Sequence, residues 1–373
     1  MLRPRRRGLR LAVPAIVLGA VLAAPGVAAA APPHEADTSH RTDASLRQLA
    51  DRHRLPIGTA ADDAALTSDA AYREDITTEF SSVTAENVMK WESLEPERGQ
   101  YDWAAADRLV ETAEANGQQV RGHVLIWHSQ LPDWLTENEA SISTEEFREI
   151  VRNHIQTVVG RYKGRIAEWD VVNEAFSDTG GLRDSIFLRK LGPGYIADAF
   201  RWAHEADPKA TLFYNDYSAE DVNRKSNEAY ALIKDFVATG VPIDGFGMQA
   251  HHSANYAPTT MRENIQRFAA LGLVTAVTEA DVRMQLPVDG TKLQAQANVF
   301  SVLLSSCLAE RSCISFTSWG FTDKYSWVPN TFEGQGAALF LDENLQAKPA
   351  YEAMRNDLLL TEPVRGKRGH GRG

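Results

Sequence analysis

Residues 167–174 read Ala167-Glu168-Trp169-Asp170-Val171-Val172-Asn173-Glu174, a short β-branched run closed by an amide and a carboxylate. It reads as a strand whose polar residues collect at its carboxyl end. Working outward, the same design recurs at Pro56–Ala60, Phe80–Glu86, Gln119–Trp127, Thr211–Asp216, Gly245–His251, Val274–Asp281 and Ser312–Trp319. Between and after these runs lie helix-compatible stretches, Ala104–Ala115, Thr144–Tyr162, Tyr195–Ala206, Asp221–Thr239, Met261–Leu271, Gln294–Ala309 and Lys348–Leu360. Their apolar residues are spaced by three or four, as in Phe147, Ile150, Val151, Ile155 and Val158. Strands apolar on both faces and crossovers long enough to be helical predict a parallel α/β fold. Eight strand–helix units fit a closed (β/α)8 TIM barrel. A doubly wound open sheet is the alternative, but Ile57-Gly58-Thr59-Ala60-Ala61 carries no Gly-rich phosphate loop after the first strand.

The ends of the runs are chemically biased. Glu86 and Asn87, Trp127 and His128, Asn173 and Glu174, Asn215 and Asp216, Gln249 and His251, Glu279 and Asp281, and Trp319 all fall there. In a barrel these ends converge on one face, where such enzymes build their sites.

Composition narrows the class. The 373 residues are 43% hydrophobic with a net charge of −11, and Gly and Pro are used at ordinary levels. Collagen-like, low-complexity and wholly disordered chains are excluded. Basic residues are scattered, so there is no footprint for nucleic acid. At the start, Arg3, Arg5, Arg6, Arg7 and Arg10 precede the apolar stretch Leu11–Leu22 and Ala28-Ala29-Ala30. That is the layout of a secretory signal peptide at residues 1–30, with a retained membrane anchor as the alternative. Its removal leaves −16. Residues 31–45 read as a flexible leading segment, 46–360 as one catalytic barrel and 361–373 as a disordered basic tail. The mature chain is expected outside the cell, off the membrane and as a monomer. Cys307 and Cys313, six apart, admit a short-loop disulfide in that compartment, with two buried thiols as the alternative.

Glu174 and Glu279 end two different strands, and two carboxylates across one cavity are the minimum equipment for glycosidic cleavage. A carboxyl at the end of an apolar strand is partly desolvated, which favours the protonated form an acid needs. Glu279 and Asp281 share a strand face by the period of two. Trp91, Trp127, Trp319 and Trp327 offer flat apolar platforms for sugar rings, whereas Trp169 and Trp202 read as core. Asn87, Lys90, His123, His128, Asn173, Gln249 and His251 can supply directional hydrogen bonds. The histidine spacing matches no zinc motif, and no G-x-S-x-G elbow appears.

Trp169-Asp170-Val171-Val172-Asn173-Glu174-Ala175 and Thr278-Glu279-Ala280-Asp281 resemble the acid/base and nucleophile signatures of family 10 glycoside hydrolases, the β-1,4-xylanases. Thr84-Ala85-Glu86-Asn87, Arg121-Gly122-His123, Trp127-His128-Ser129-Gln130, Tyr214-Asn215-Asp216-Tyr217 and Trp319-Gly320 extend the resemblance over roughly residues 45–360. The resemblance implies internal cleavage of xylan with retention, Glu174 acting as acid/base and Glu279 as nucleophile about 5–5.5 Å apart. It implies no metal and no organic cofactor, with xylan and xylo-oligosaccharides as the partners. Asn173 resembles the amide that meets the sugar 2-hydroxyl, and His251 the hydrogen-bond partner of the nucleophile. Glu86, Asn87 and Lys90 resemble donor-side contacts. His123, Trp127, Gln249, Trp319 and Trp327 resemble the wall of the cleavage point, and Tyr217 the leaving-group side. Cys307 and Cys313 resemble a disulfide of secreted members. Ala280 stands where a larger aliphatic residue is usual, and His252 adds a second histidine after His251. A β-1,4 or mixed-linkage glucanase and a non-catalytic carbohydrate-binding protein are the alternatives.

Overall fold

The computed structural model describes residues 44–363. The expected leader, nearly all of the leading segment and most of the basic tail lie outside the described residues. The first helix, Leu46–Asp51, starts on a capping box in which Ser45 and Gln48 satisfy each other's backbone N–H groups.

Among the described residues ten strands follow in chain order: β1 (Ile57–Ala61), β2 (Ser82–Ala85), β3 (Gln119–Gly122), β4 (Glu168–Asn173), β5 (Thr211–Asp216), β6 (Gly245–Met248), β7 (His251–Ser253), β8 (Val274–Gln285), β9 (Cys313–Ser318) and β10 (Gln335–Gly336). Strands β1 to β6, β8 and β9 form a parallel barrel, closed where β9 pairs with β1 through Ile57 and Phe316. β7 lies parallel to the far half of β8, and β10 pairs antiparallel with its end. The chain is therefore the expected (β/α)8 barrel, with one extended strand that carries two short additions.

Every residue of β1, β2 and β4 is buried, because helices cover one face and the barrel interior the other. The helix Thr144–Arg161 shows how that cover is encoded. Phe147, Ile150, Val151, Ile155, Val158 and Val159 make its buried stripe, Ser143 caps it, and Glu145 and Glu146 sit at the positive end of its dipole. Close approach is needed where Trp169 lies on β3, for a Cβ at Gly122 would stand 2.2 Å from its ring.

Two strands stop three or more residues before the ends of their runs. β3 ends at Gly122 rather than Trp127, after which the N–H groups of Leu125 and Ile126 donate to the carbonyls of Asp170 and Val171 at 3.0 Å. β6 ends at Met248 because Ala250 takes a left-handed φ of 62° and turns the chain before His251 joins β7. Hydrophobic periodicity continues through both turns and does not mark them.

Cys307 and Cys313 are bonded, with their Cα atoms 5.2 Å apart, joining the helix Gly290–Leu308 to the first residue of β9. That is the amino end of the strand, opposite the face where the polar strand ends gather. A loop of this size constrains the unfolded chain only modestly. The double substitution Cys307→Ser/Cys313→Ser should lower unfolding free energy by about 2 kcal/mol in urea titration, with the near-ultraviolet dichroism of the tryptophans unchanged.

Candidate active site

One cleft of about 620 Å³ opens at the carboxyl ends of the barrel strands and is lined by thirteen of the fifteen residues singled out above for catalysis or sugar contact, all but Trp91 and His128. Gln130, Ser218, Arg283, Thr331 and Phe332 complete its wall. One tryptophan was misplaced by sequence reasoning. Trp91 is buried, stacks on His154 with ring centroids 3.8 Å apart, and donates its indole N–H to Glu95 at 2.9 Å, so it is core. Trp169 and Trp202 are core as expected.

Glu279 on β8 is 4% exposed, and each of its oxygens has a donor. Asn215 Nδ2 reaches Oε1 at 2.6 Å and His251 Nε2 reaches Oε2 at 3.1 Å. His251 Nδ1 lies 2.9 Å from Asp281 Oδ2, so both ring nitrogens face carboxylates and both must carry protons. Burial alone would lower the pKa of this histidine, but Asp281 and Glu279 together push it up to about 10. Burial raises the Glu279 carboxyl, and the charge of His123 with the hydrogen bond and charge of His251 overcome it, holding the group below the usual carboxylate range. Glu279 is built to be an anion at neutral pH.

Glu174 sits in a different setting. It follows β4, its side chain is 13% exposed, and its Oε1 accepts from Gln249 Nε2 at 3.0 Å and from Asn173 Nδ2 at 3.3 Å. The nearest imidazole, His128, has Nδ1 3.9 Å from Glu174 Oε2, and burial pushes its pKa down. The two carboxylates are joined by amides. Gln249 Nε2 and Asn215 Nδ2 both donate to Asn173 Oδ1, at 3.0 and 2.9 Å, while Thr278 holds the Asn215 carbonyl at 2.7 Å. Gly247 on β6 makes room for that central amide, since a Cβ there would stand 2.4 Å from Asn215 Oδ1. Asn215 stands at a strand end in the sequence, where nothing marks the amide chain it joins.

On the opposite wall Lys90 is buried, donating to Asn87 Oδ1 at 2.8 Å and Gln130 Oε1 at 2.6 Å, with its ammonium 5.1 Å from the Trp127 ring centre. Glu86 is pushed up to about 7 by burial and by nearby Asp62, which leaves it able to donate as well as accept. Trp127 Nε1 is buried with no hydrogen-bond partner among the described residues. Trp327 donates to Asp281 Oδ2 at 2.7 Å, the same oxygen that orients His251. The Tyr217 hydroxyl is engaged by Asp178 at 2.7 Å and by Arg183 at 2.9 Å, so this residue offers the cleft its ring rather than its hydroxyl.

His123, Asp170 and Glu279 bring three possible metal-ligand atoms within 4.8 Å of one another, the one such group among the described residues. The donors are already engaged: His123 Nδ1 faces Asp170 Oδ2 at 3.0 Å, and both oxygens of Asp170 accept from Arg121. A cation there would have to compete with a guanidinium.

The His251 arrangement predicts a pH dependence. Its folded pKa stands above the ordinary 6.5, so its stabilisation is fully present below that value and is lost as pH rises towards about 10. His251→Asn should flatten the fall of the urea midpoint across this window relative to the parent chain, whereas an unchanged slope would refute the charged imidazole.

The family model described as Glycosyl hydrolase family 10 matches residues 45–357. Endo-1,4-beta-xylanase B of Thermotoga neapolitana is 45% identical over 319 residues, 84% of this chain and 91% of the relative. An endo-1,4-beta-xylanase of Agaricus bisporus is 42% identical over 300 residues, 80% of this chain and 89% of the relative. The crystal structure of xylanase 10B from Thermotoga petrophila in complex with xylobiose superposes with a TM-score of 0.83 at 44% identity, covering 85% of this chain and 98% of that one. With a matching barrel, a cleft walled by tryptophans and two carboxylates joined by amides, this chain belongs to glycosyl hydrolase family 10.

Proposed function

We propose that the chain is a secreted endo-1,4-β-xylanase that hydrolyses internal β-1,4-xylosidic bonds with retention of configuration. The observation that carries this reading is the placement of Glu174 and Glu279 on one tryptophan-lined cleft in unlike surroundings, one among neutral amides and the other against an imidazolium. The relatives named endo-1,4-beta-xylanase and the xylobiose complex of a solved neighbour support the substrate class.

In the first displacement Glu279 attacks the anomeric carbon. The bond to the leaving oxygen breaks, and that oxygen takes its electron pair and the proton of Glu174. In the second, water attacks the same carbon as it yields a proton to Glu174, and Glu279 departs as a carboxylate. Asn215 and His251 keep Glu279 ionised and aimed. Asn173 Nδ2 donates one proton to Glu174 and retains a second for the sugar 2-hydroxyl. Glu86, Asn87 and Lys90 take the donor-side sugars, and Trp127, Trp319 and Trp327 give the rings apolar faces. The reaction calls on no metal or organic cofactor. The arginine-led, apolar stretch within residues 1–30 supports export. A disulfide suits that compartment, and among the described residues no helix is long and apolar enough to cross a membrane.

Product analysis on unsubstituted xylan beside barley β-glucan and carboxymethyl cellulose tests the reading. Mixed short xylo-oligosaccharides should appear early, with little from either glucan. Comparable rates on the mixed-linkage glucan would replace it with the broader glucanase. For the acid/base, Glu174→Ala should lower kcat/KM on xylan by roughly 10²- to 10⁴-fold while largely sparing aryl xylobiosides with good leaving groups. Equal loss on both would remove Glu174 from that role.

A further inference from the structure

Glu174 has a φ of 56°, in the left-handed region that residues with a Cβ avoid. Such a conformation persists only where its surroundings enforce it. On one side the Glu174 N–H donates to the Asn215 carbonyl at 2.9 Å, and the Ala175 N–H donates to the Tyr214 hydroxyl at 3.2 Å. On the other side one residue, nine positions along the chain, does the work. Arg183 Nε donates to the Glu174 carbonyl at 3.1 Å, Nη2 donates to the Phe176 carbonyl at 3.3 Å, and the Arg183 backbone N–H donates to the Ala175 carbonyl at 2.7 Å. Three successive carbonyls after the carboxylate are thus held by Arg183. The same Nη2 donates to the Tyr217 hydroxyl at 2.9 Å, and Tyr217 lines the cleft.

We infer that Arg183 is a positioning residue for Glu174: its guanidinium fork holds the left-handed turn that aims the carboxyl group at the leaving oxygen, and ties that turn to Tyr217 in the cleft wall. The inference rests on the acid/base reading of Glu174. The hydrogen bonds of this side chain go to the Glu174 and Phe176 carbonyls and the Tyr217 hydroxyl and none to Glu279, so its effect should fall on proton delivery rather than on nucleophilic attack. A planar fork suits this task, because a lysine ammonium could not reach the two carbonyls and the hydroxyl in the same fixed geometry.

The test compares Arg183→Met, Arg183→Lys and Glu174→Ala in the full chain, on xylan and on dinitrophenyl β-xylobioside, whose leaving group needs no proton. Misplacement by about 1 Å is costly only where the proton matters, so Arg183→Met should lose roughly 10²-fold in kcat/KM on xylan and stay within about threefold on the aryl substrate. The loss should lie in kcat with KM little changed, and Arg183→Lys should fall between parent and Arg183→Met on xylan. Parallel losses on both substrates, or none on either, would overturn the inference. If Arg183→Met does not fold, the same ratio read on Arg183→Lys decides. Should Glu174→Ala lose both substrates equally, the acid/base reading itself fails. Should Glu174→Ala be selective and the Arg183 variants not, only the role of Arg183 is rejected.

Discussion

Inside the barrel, beneath the site, Arg121 on β3 faces Glu168 and Asp170 on β4, all within about a tenth of full burial or less. The guanidinium is bidentate to Asp170, at 2.5 and 3.2 Å, bonds Glu168 through its other terminal nitrogen, and lies 4.4 Å above the Phe213 ring. The cleft above meets this cluster through Asp170 and His123. Burial pushes both carboxylates up: at Glu168 burial prevails over Arg121, while at Asp170 the charge of Arg121 and the hydrogen bond from His123 prevail and hold it down. Breaking such a group by removing one partner costs far more than its net contribution, because a charge is left buried without a counterpart. Asp170 then holds His123, which stands 3.8 Å from Glu279, so the interior ion cluster continues up to the carboxylate in the cleft.

The two glutamates illustrate how one fold keeps two carboxyl groups of different character in the same cavity. Similar side chains are given unlike neighbours: a protonated histidine and an amide for Glu279, amides and a histidine kept neutral by burial for Glu174. Asn215 and Gln249 do not separate these environments but join them, since both donate to the single carbonyl oxygen of Asn173. Donors on that chain have few alternative partners, which fixes the amide orientations and, through them, the carboxylates. Small residues are as necessary as polar ones here, because Gly247 is what admits Asn215.

The strand pattern and the chemistry of the strand ends were legible from sequence, and so were thirteen of the cleft residues, though not Ser218, Arg283, Thr331 or Phe332. Short runs buried on both faces leave a long-range signature, and polar residues that interrupt them at one end stand out against it. Trp91 was not legible. Its neighbours Asn87 and Lys90 line the cleft, but it begins the short helix Trp91–Leu94, which directs it onto His154. Arg183 gave no signal either, since a single arginine in a loop reads as a solvated charge until the carbonyls it meets are seen.

By itself the sequence determined the closed parallel barrel, the convergence of Glu174 and Glu279 on one face and the sugar chemistry of the cleft, because burial and side-chain type are properties of local pattern. Tertiary structure alone decided where β3 and β6 stop, which amide joins the carboxylates, and what holds Glu174 in a left-handed turn. These depend on contacts between segments dozens of residues apart, such as Asn173 with Asn215 and Gln249, and on backbone turns that hydrophobic periodicity passes over without a mark.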